Sequence, residues 1–271
     1  MKSSIAGVSG LSSKLFTSVL MMLSLSVFAA DNSIYIDQMG DNSTVTMIQD
    51  GAGNTIRGLA GVGTSNSTPA KIYGDGTQVA VSQIGASNTL RLAMVSTIAT
   101  GAGGGTSITY SVTGNNASAT INSNGDGLGI SASNNIAVTQ SGNNSSANIN
   151  VLGSLNNLNA ITAGGSNNSI TATQNGDNNN TTISNTGGGG NSTTTNQQGN
   201  NGMISIASVG ASNTTTVSQI GGSTNGHQAT VDITGSSNTT SITQNGTSGD
   251  SVVNLKSVGS TNTFTINSNT H

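Results

Sequence analysis

Eight glutamines, Gln38, Gln49, Gln83, Gln140, Gln174, Gln197, Gln219 and Gln244, each stand two residues before a glycine. A primary amide both donates and accepts, so amides repeated at the rung spacing of a β-sheet can bond one another in a continuous ladder. Buried without such partners, each would cost free energy. Other chemistry is poorly supplied. The aspartates are dispersed, Glu and Cys are absent, and neither His227 nor His271 has a metal-ligand pattern beside it. The "GAGGG" run lacks the Lys-Ser/Thr of a phosphate loop, and "NGDG" (Asn124–Gly127) is a single echo of the calcium-binding nonapeptide. No enzymatic activity, cofactor or metal is expected, and a lone turn histidine such as His227 is expected at the surface.

The elements that must carry these amides are short strands. Counting back from each glycine, the fourth residue is apolar almost throughout (Ile36, Met47, Val81, Ile121, Val138, Ile149, Ile183, Ile206, Val217, Ile242), with Thr195 the exception. The sixth is mostly apolar, whereas the third and fifth are mostly Thr, Ser and Asn. That alternation is the pattern of a half-buried strand, and it puts the glutamine on the inward face. The intervening turns are rich in Gly and Asn, which accept positive φ at little cost. Asn42, Asn54, Asn88, Asn178, Asn213, Asn238 and Asn262 come shortly after these glycines and either form further ladders or serve as ordinary turn residues.

From Gln174 onward the glutamines fall on alternate strands, so the repeating unit is two strands. Near-identical positions at fixed spacing favour parallel stacking over an antiparallel meander. The expected fold is all-β, a β-solenoid of roughly ten two-strand coils with two facing parallel sheets, about 50 Å long at ordinary rung spacing. Residues 1–29 read as a signal peptide, with Lys2 and Lys14 before an apolar run ending in small residues. The repeat domain covers 30–271, with irregular insertions near 59–75, 97–105 and 125–135.

Composition agrees with an exported, repetitive chain. It holds 271 residues with 38 Gly, one Pro and no Cys or Trp, and only 6% are charged and 2% aromatic. Without cysteine no disulfide can staple it, so backbone pairing and repetition must supply stability. Once Lys2 and Lys14 are removed, four basic residues face nine aspartates. No basic patch of the kind that binds nucleic acid is expected.

The stretches "QMGDNSTVTMIQDGAGNTI", "QIGASNTL", "QSGNNSSANI" and "QNGDNNNTTI" resemble the curlin repeat of curli fibre subunits. The second glutamine that curlin units hold in the partner strand is clear only at Gln49. The resemblance implies a secreted subunit of an extracellular amyloid fibre, exported through an outer-membrane pore, seeded by a nucleator subunit, and serving biofilm matrix and adhesion. Its main partner would be itself. A solenoid without caps offers open strand edges at both ends, and Ile34, Ile36, Phe264 and Ile266 are the inward residues expected at an end-to-end contact. The competing readings are a non-polymerising adhesin or fibre shaft, including a phage-borne one, and an ice-binding protein, for which Thr171/Thr173, Thr216/Ser218 and Ser241/Thr243 offer outward hydroxyls.

Overall fold

The computed structural model describes residues 31–59, 68–95, 105–124, 133–221, 226–246 and 251–270. The signal-peptide segment, most of 97–105 and most of 125–135 lie outside them. The described chain is all strand and turn, wound as a β-solenoid with two facing parallel sheets.

Sheet I contains β1 (Ser33–Ile34), β2 (Ile36–Met39), β4 (Thr55–Arg57), β5 (Ala70–Tyr73), β7 (Thr89–Val95), β9 (Ser118–Asn124), β11 (Ser146–Leu152), β13 (Ser169–Asn175), β15 (Ser192–Gln198), β17 (Thr214–Ile220), β19 (Thr239–Gly246) and β21 (Thr263–Thr270). Sheet II contains β3 (Thr44–Asp50), β6 (Gln78–Ile84), β8 (Ser107–Thr113), β10 (Asn135–Ser141), β12 (Asn157–Ala163), β14 (Asn180–Thr186), β16 (Met203–Val209), β18 (Gln228–Thr234) and β20 (Val252–Val258). The pairs β1/β2 and β4/β5 are each halves of one interrupted rung, because β1 pairs β4 while β2 pairs β5. Among the described residues, sheet I therefore has ten rungs and sheet II nine.

The second rung explains the irregularity around 59–75. Its strand leaves the sheet after Arg57 and rejoins at Ala70. The two ends meet where Gly58 N donates to Thr68 O at 2.8 Å. Ala70–Tyr73 of that stretch is thus regular strand, and Pro69, which has no N–H to give, sits just outside the ladder.

Burial follows the expected alternation. In β13, Ile170, Ala172 and Gln174 are buried while Thr171, Thr173 and Asn175 are not. The glycine closing each strand is held to its place by the next rung. At Gly210 φ is +126°, and an added Cβ would stand 1.9 Å from the carbonyl oxygen of Gly235.

The core is divided. One apolar cluster runs from Val45 to Ile183 and a second from Ile204 to Val253. Between them lies β15, whose inward residues Thr193, Thr195 and Gln197 are all polar. Thr193 Oγ1 donates to Asn185 Oδ1 at 2.9 Å, whereas Thr195 Oγ1 is buried with no partner.

Candidate assembly interface

The inward position that the glutamines occupy forms one column in each sheet. Sheet I reads Gln38, Ile72, Met94, Ser123, Val151, Gln174, Gln197, Gln219, Gln244, Ser268. Sheet II reads Gln49, Gln83, Val112, Gln140, Thr162, Asn185, Ser208, Ile233, Ser257. The eight glutamines therefore divide between two sheets: Gln38 lies in sheet I, Gln49, Gln83 and Gln140 lie in sheet II, and the three-strand step from Gln140 to Gln174 carries the later four back to sheet I.

Only the later four build a long ladder. Gln174 Nε2 donates to Gln197 Oε1 at 3.0 Å, Gln197 Nε2 to Gln219 Oε1 at 3.0 Å, and Gln219 Nε2 to Gln244 Oε1 at 2.8 Å. Gln244 Nε2 then donates to the carbonyl of Ser251 at 2.7 Å, and Ser251 Oγ donates to Ser268 Oγ at 2.6 Å. Second donor hydrogens reach backbone of sheet II, as from Gln219 to Met203 O at 2.9 Å, so the ladder also ties the two sheets together.

The earlier glutamines are used in smaller groups. Gln49 donates to Gln83 Oε1 at 2.8 Å. Gln140 stands between Val112 and Thr162 and accepts the hydroxyl of buried Tyr110 at 2.8 Å. Burial pushes the Tyr110 phenol well above its usual pKa, since the anion would lose its hydration there. Gln38, on the first rung, turns to Gly40 O at 3.0 Å.

The corners carry a second kind of ladder, and here asparagine position decides its role. Residues two after the glycine, such as Asn42 and Asn178, have φ of +56° and +57° and are exposed turn residues. Residues three after it, such as Asn54, Asn88, Asn213, Asn238 and Asn262, point inward. Asn213 Nδ2 donates to Gly235 O at 2.8 Å, and its Oδ1 accepts the backbone N–H of Asn238 at 3.0 Å. Asn32, Asn134, Asn156, Asn168, Asn179 and Asn191 join the same corner ladders, though sequence reasoning did not single them out. For Asn156 and Asn179, three residues after Gly153 and Gly176, the offset of two against three was the available signal. At one corner the asparagine column ends at Asn179, whose Oδ1 accepts from Gly202 N at 2.8 Å. His227 takes the next place and is buried, contrary to the surface position expected, because it occupies a ladder corner and not a turn tip.

The four end-contact residues lie in one sheet, at its two ends. Ile34 and Ile36 are half-buried against the first apolar cluster, and Ile266 is half-buried against the second, with Phe264 beside it on β21. Beyond β1/β2 and β3 at one end, and β20 and β21 at the other, no described strand continues either sheet. The first rung is latched on its outer face by a short hydrogen bond from the Tyr73 hydroxyl to Asp37. That bond, with some burial and the carboxylate charge, raises the Tyr73 pKa. Nearby, Arg57 lies in register beside Arg91, and partial burial followed by that second guanidinium holds the Arg57 pKa below its usual range.

No family model, curated protein or solved structure matches this chain. Among the described residues there is no group of three or more His, Cys, Asp or Glu able to hold a metal ion, and no helix long and apolar enough to cross a membrane.

Proposed function

We propose that the mature chain is a secreted structural subunit of an extracellular curli-like amyloid fibre that assembles end to end and supports biofilm matrix and adhesion. A β-solenoid is compatible with a fibre or adhesin subunit. The observation that carries the finer reading is the in-register Gln174–Gln197–Gln219–Gln244 ladder inside a parallel stack whose end strands have no described neighbour. Unpaired strand edges are templates for another chain, and stacked amides reward adding identical rungs. In this reading the partners are further copies, a nucleator subunit and an outer-membrane secretion pore, with no nucleic acid and no catalytic role. The curlin-like motifs in the sequence support the same assignment.

The test is seeded growth of purified residues 30–271, followed by thioflavin fluorescence and fibre diffraction. Meridional spacing near 4.8 Å and seeding by preformed fibres are expected. A chain that stays monomeric at high concentration with seeds present would refute the reading.

One observation favours a second reading, ice binding. From β9 to β21 the three outward columns of sheet I through Ser118, Thr120 and Asn122 contain only Ser, Thr and Asn over seven successive rungs. An uncharged, periodic hydroxyl and amide face suits an ordered water lattice, so a monomeric chain that shapes growing ice crystals would favour ice binding over polymerisation.

A further inference from the structure

Sheet I both begins and ends the described chain, so it has one rung more than sheet II. If the chain is a fibre subunit, as proposed, this odd count constrains any head-to-tail junction. Were β21 of one copy to lie against β1/β2 of the next, sheet I would continue but sheet II would lack a strand between β20 and β3. The inward faces of Phe264 and Ile266, and of Ile34 and Ile36, would then overlook an empty place one rung high. If instead β20 met β3, both sheets would close, but β21 and β1/β2 would compete for the same position on β4/β5.

The two competitors are built alike. Asn32 to Gln38 reads Asn-Ser-Ile-Tyr-Ile-Asp-Gln, and Asn262 to Ser268 reads Asn-Thr-Phe-Thr-Ile-Asn-Ser. Asn32 Nδ2 donates to Gly51 O at 3.0 Å, and its Oδ1 accepts the N–H of Asn54 at 2.9 Å. Asn262 holds the same place before β21, with its own N–H on Asn238 Oδ1 at 3.0 Å, but its Nδ2 only reaches sideways to Ser257 Oγ at 3.3 Å. On the next copy, Gly51 O and Asn54 N would supply the partners it lacks. The strands differ in hold: β21 pairs with β19 over eight successive residues, whereas the first rung is split into segments of two and four.

We propose that when copies join, β21 of one displaces β1/β2 of the next and takes its place on β4/β5, while β20 pairs with β3. Each copy then contributes nine rungs to each sheet and the stack is unbroken. In the unjoined chain β1/β2 is a detachable cover over the growing edge, latched by Asp37 and Tyr73.

The chain has no cysteine, so single cysteines report the junction cleanly. Outward positions leave the core undisturbed. Exchange places residue 267 opposite residue 71, in the register that Asp37 now holds with Lys71, whereas simple stacking places residue 267 opposite residue 37. Two mixtures of full-length mature variants are assembled and oxidised, N267C with K71C and N267C with D37C. Covalent dimers from the first mixture and none from the second are expected. Dimers from the second mixture overturn the exchange, as do fibres that grow with no cross-link in either mixture, although those fibres leave the assembly reading intact. Wild-type chain that never assembles sinks both.

Discussion

Gln174 donates its amide to Gln197 at 3.0 Å, yet its own buried Oε1 receives nothing. The ladder has a direction, each Nε2 serving the next rung, and it starts where Val151 on the preceding rung has no donor to offer. Loss of a member should therefore depend on its place.

Gln219→Leu removes the acceptor of Gln197 and the donor to Gln244, while Gln174→Leu leaves Gln197 Oε1 still bonded to Thr181 Oγ1 at 2.6 Å. With unsatisfied buried groups costing about 1–3 kcal/mol each, Gln219→Leu should be the more destabilising by about 2 kcal/mol in denaturant unfolding. Equal losses would contradict a directional ladder.

The two asparagine roles should separate by substitution. Asn213→Ala deprives Gly235 of a donor and Asn238 of its acceptor, and should cost about 2 kcal/mol or more. Asn178→Gly, at φ +57°, should be neutral within about 0.5 kcal/mol because glycine accepts that conformation. Thermal unfolding of both variants checks the pair.

Thr195→Val should stabilise the rod by about 1 kcal/mol. It replaces a buried hydroxyl without a partner by a methyl of similar shape and adds apolar contact between the two core clusters. Hydrogen exchange of β14 to β16 should slow in this variant; unchanged exchange and melting would show that the polar layer is not a weak point.

Tyr110 makes stability fall at high pH. Its folded pKa is raised, so above the unfolded value of about 10 the unfolded chain releases a proton that the folded chain retains. The contribution is complete below pH about 10 and declines above it. Tyr110→Phe should flatten that alkaline decline, at the cost of leaving Gln140 Oε1 without its donor. Alkaline unfolding curves of the two proteins compare directly.

Proline distinguishes the two terminal strands. In the proposed assembly, Thr265→Pro removes a backbone donor facing the next copy, by the same pattern in which Thr239 N donates to Asn262 O of the following rung, and should abolish elongation. Tyr35→Pro removes the N–H that bonds Ile56 O, loosens the cover and should shorten the lag before growth. Thioflavin time courses in which both variants behave alike would argue against unequal roles.

Strand phase, two-strand period and the buried glutamines were legible because side chains alternate with period two, and one buried face leaves its mark on every repeat. The allotment of glutamines to sheets was harder to read. Spacing shows only that Gln140 and Gln174 lie far apart; counting through the two glutamine-free strands β11 and β12 shows that the step between them is three strands, an odd number that changes sheet. Asn178 and Asn179 are neighbours with opposite roles, one turned to solvent with positive φ and one buried in a ladder, and composition alone does not separate them. The stretch near Pro69 read as one irregular insertion because a strand interrupted mid-rung breaks the regular count, although Ile56, Ala70 and Ile72 keep the inward phase on either side.

That interrupted rung has an engineering consequence. The chain departs at Gly58 and returns by Thr68, with the exit and entry bonded to each other, while Tyr35 spans the break by accepting Ala70 N at 2.7 Å and donating to Ile56 O at 2.9 Å. The register on both sides is thereby fixed independently of the residues between. Doubling the length of a chain closure costs only about 0.6 kcal/mol in entropy. In a filament of the proposed kind, a foreign peptide grafted there would ride on every copy, turning one break in a rung into a regularly spaced display site.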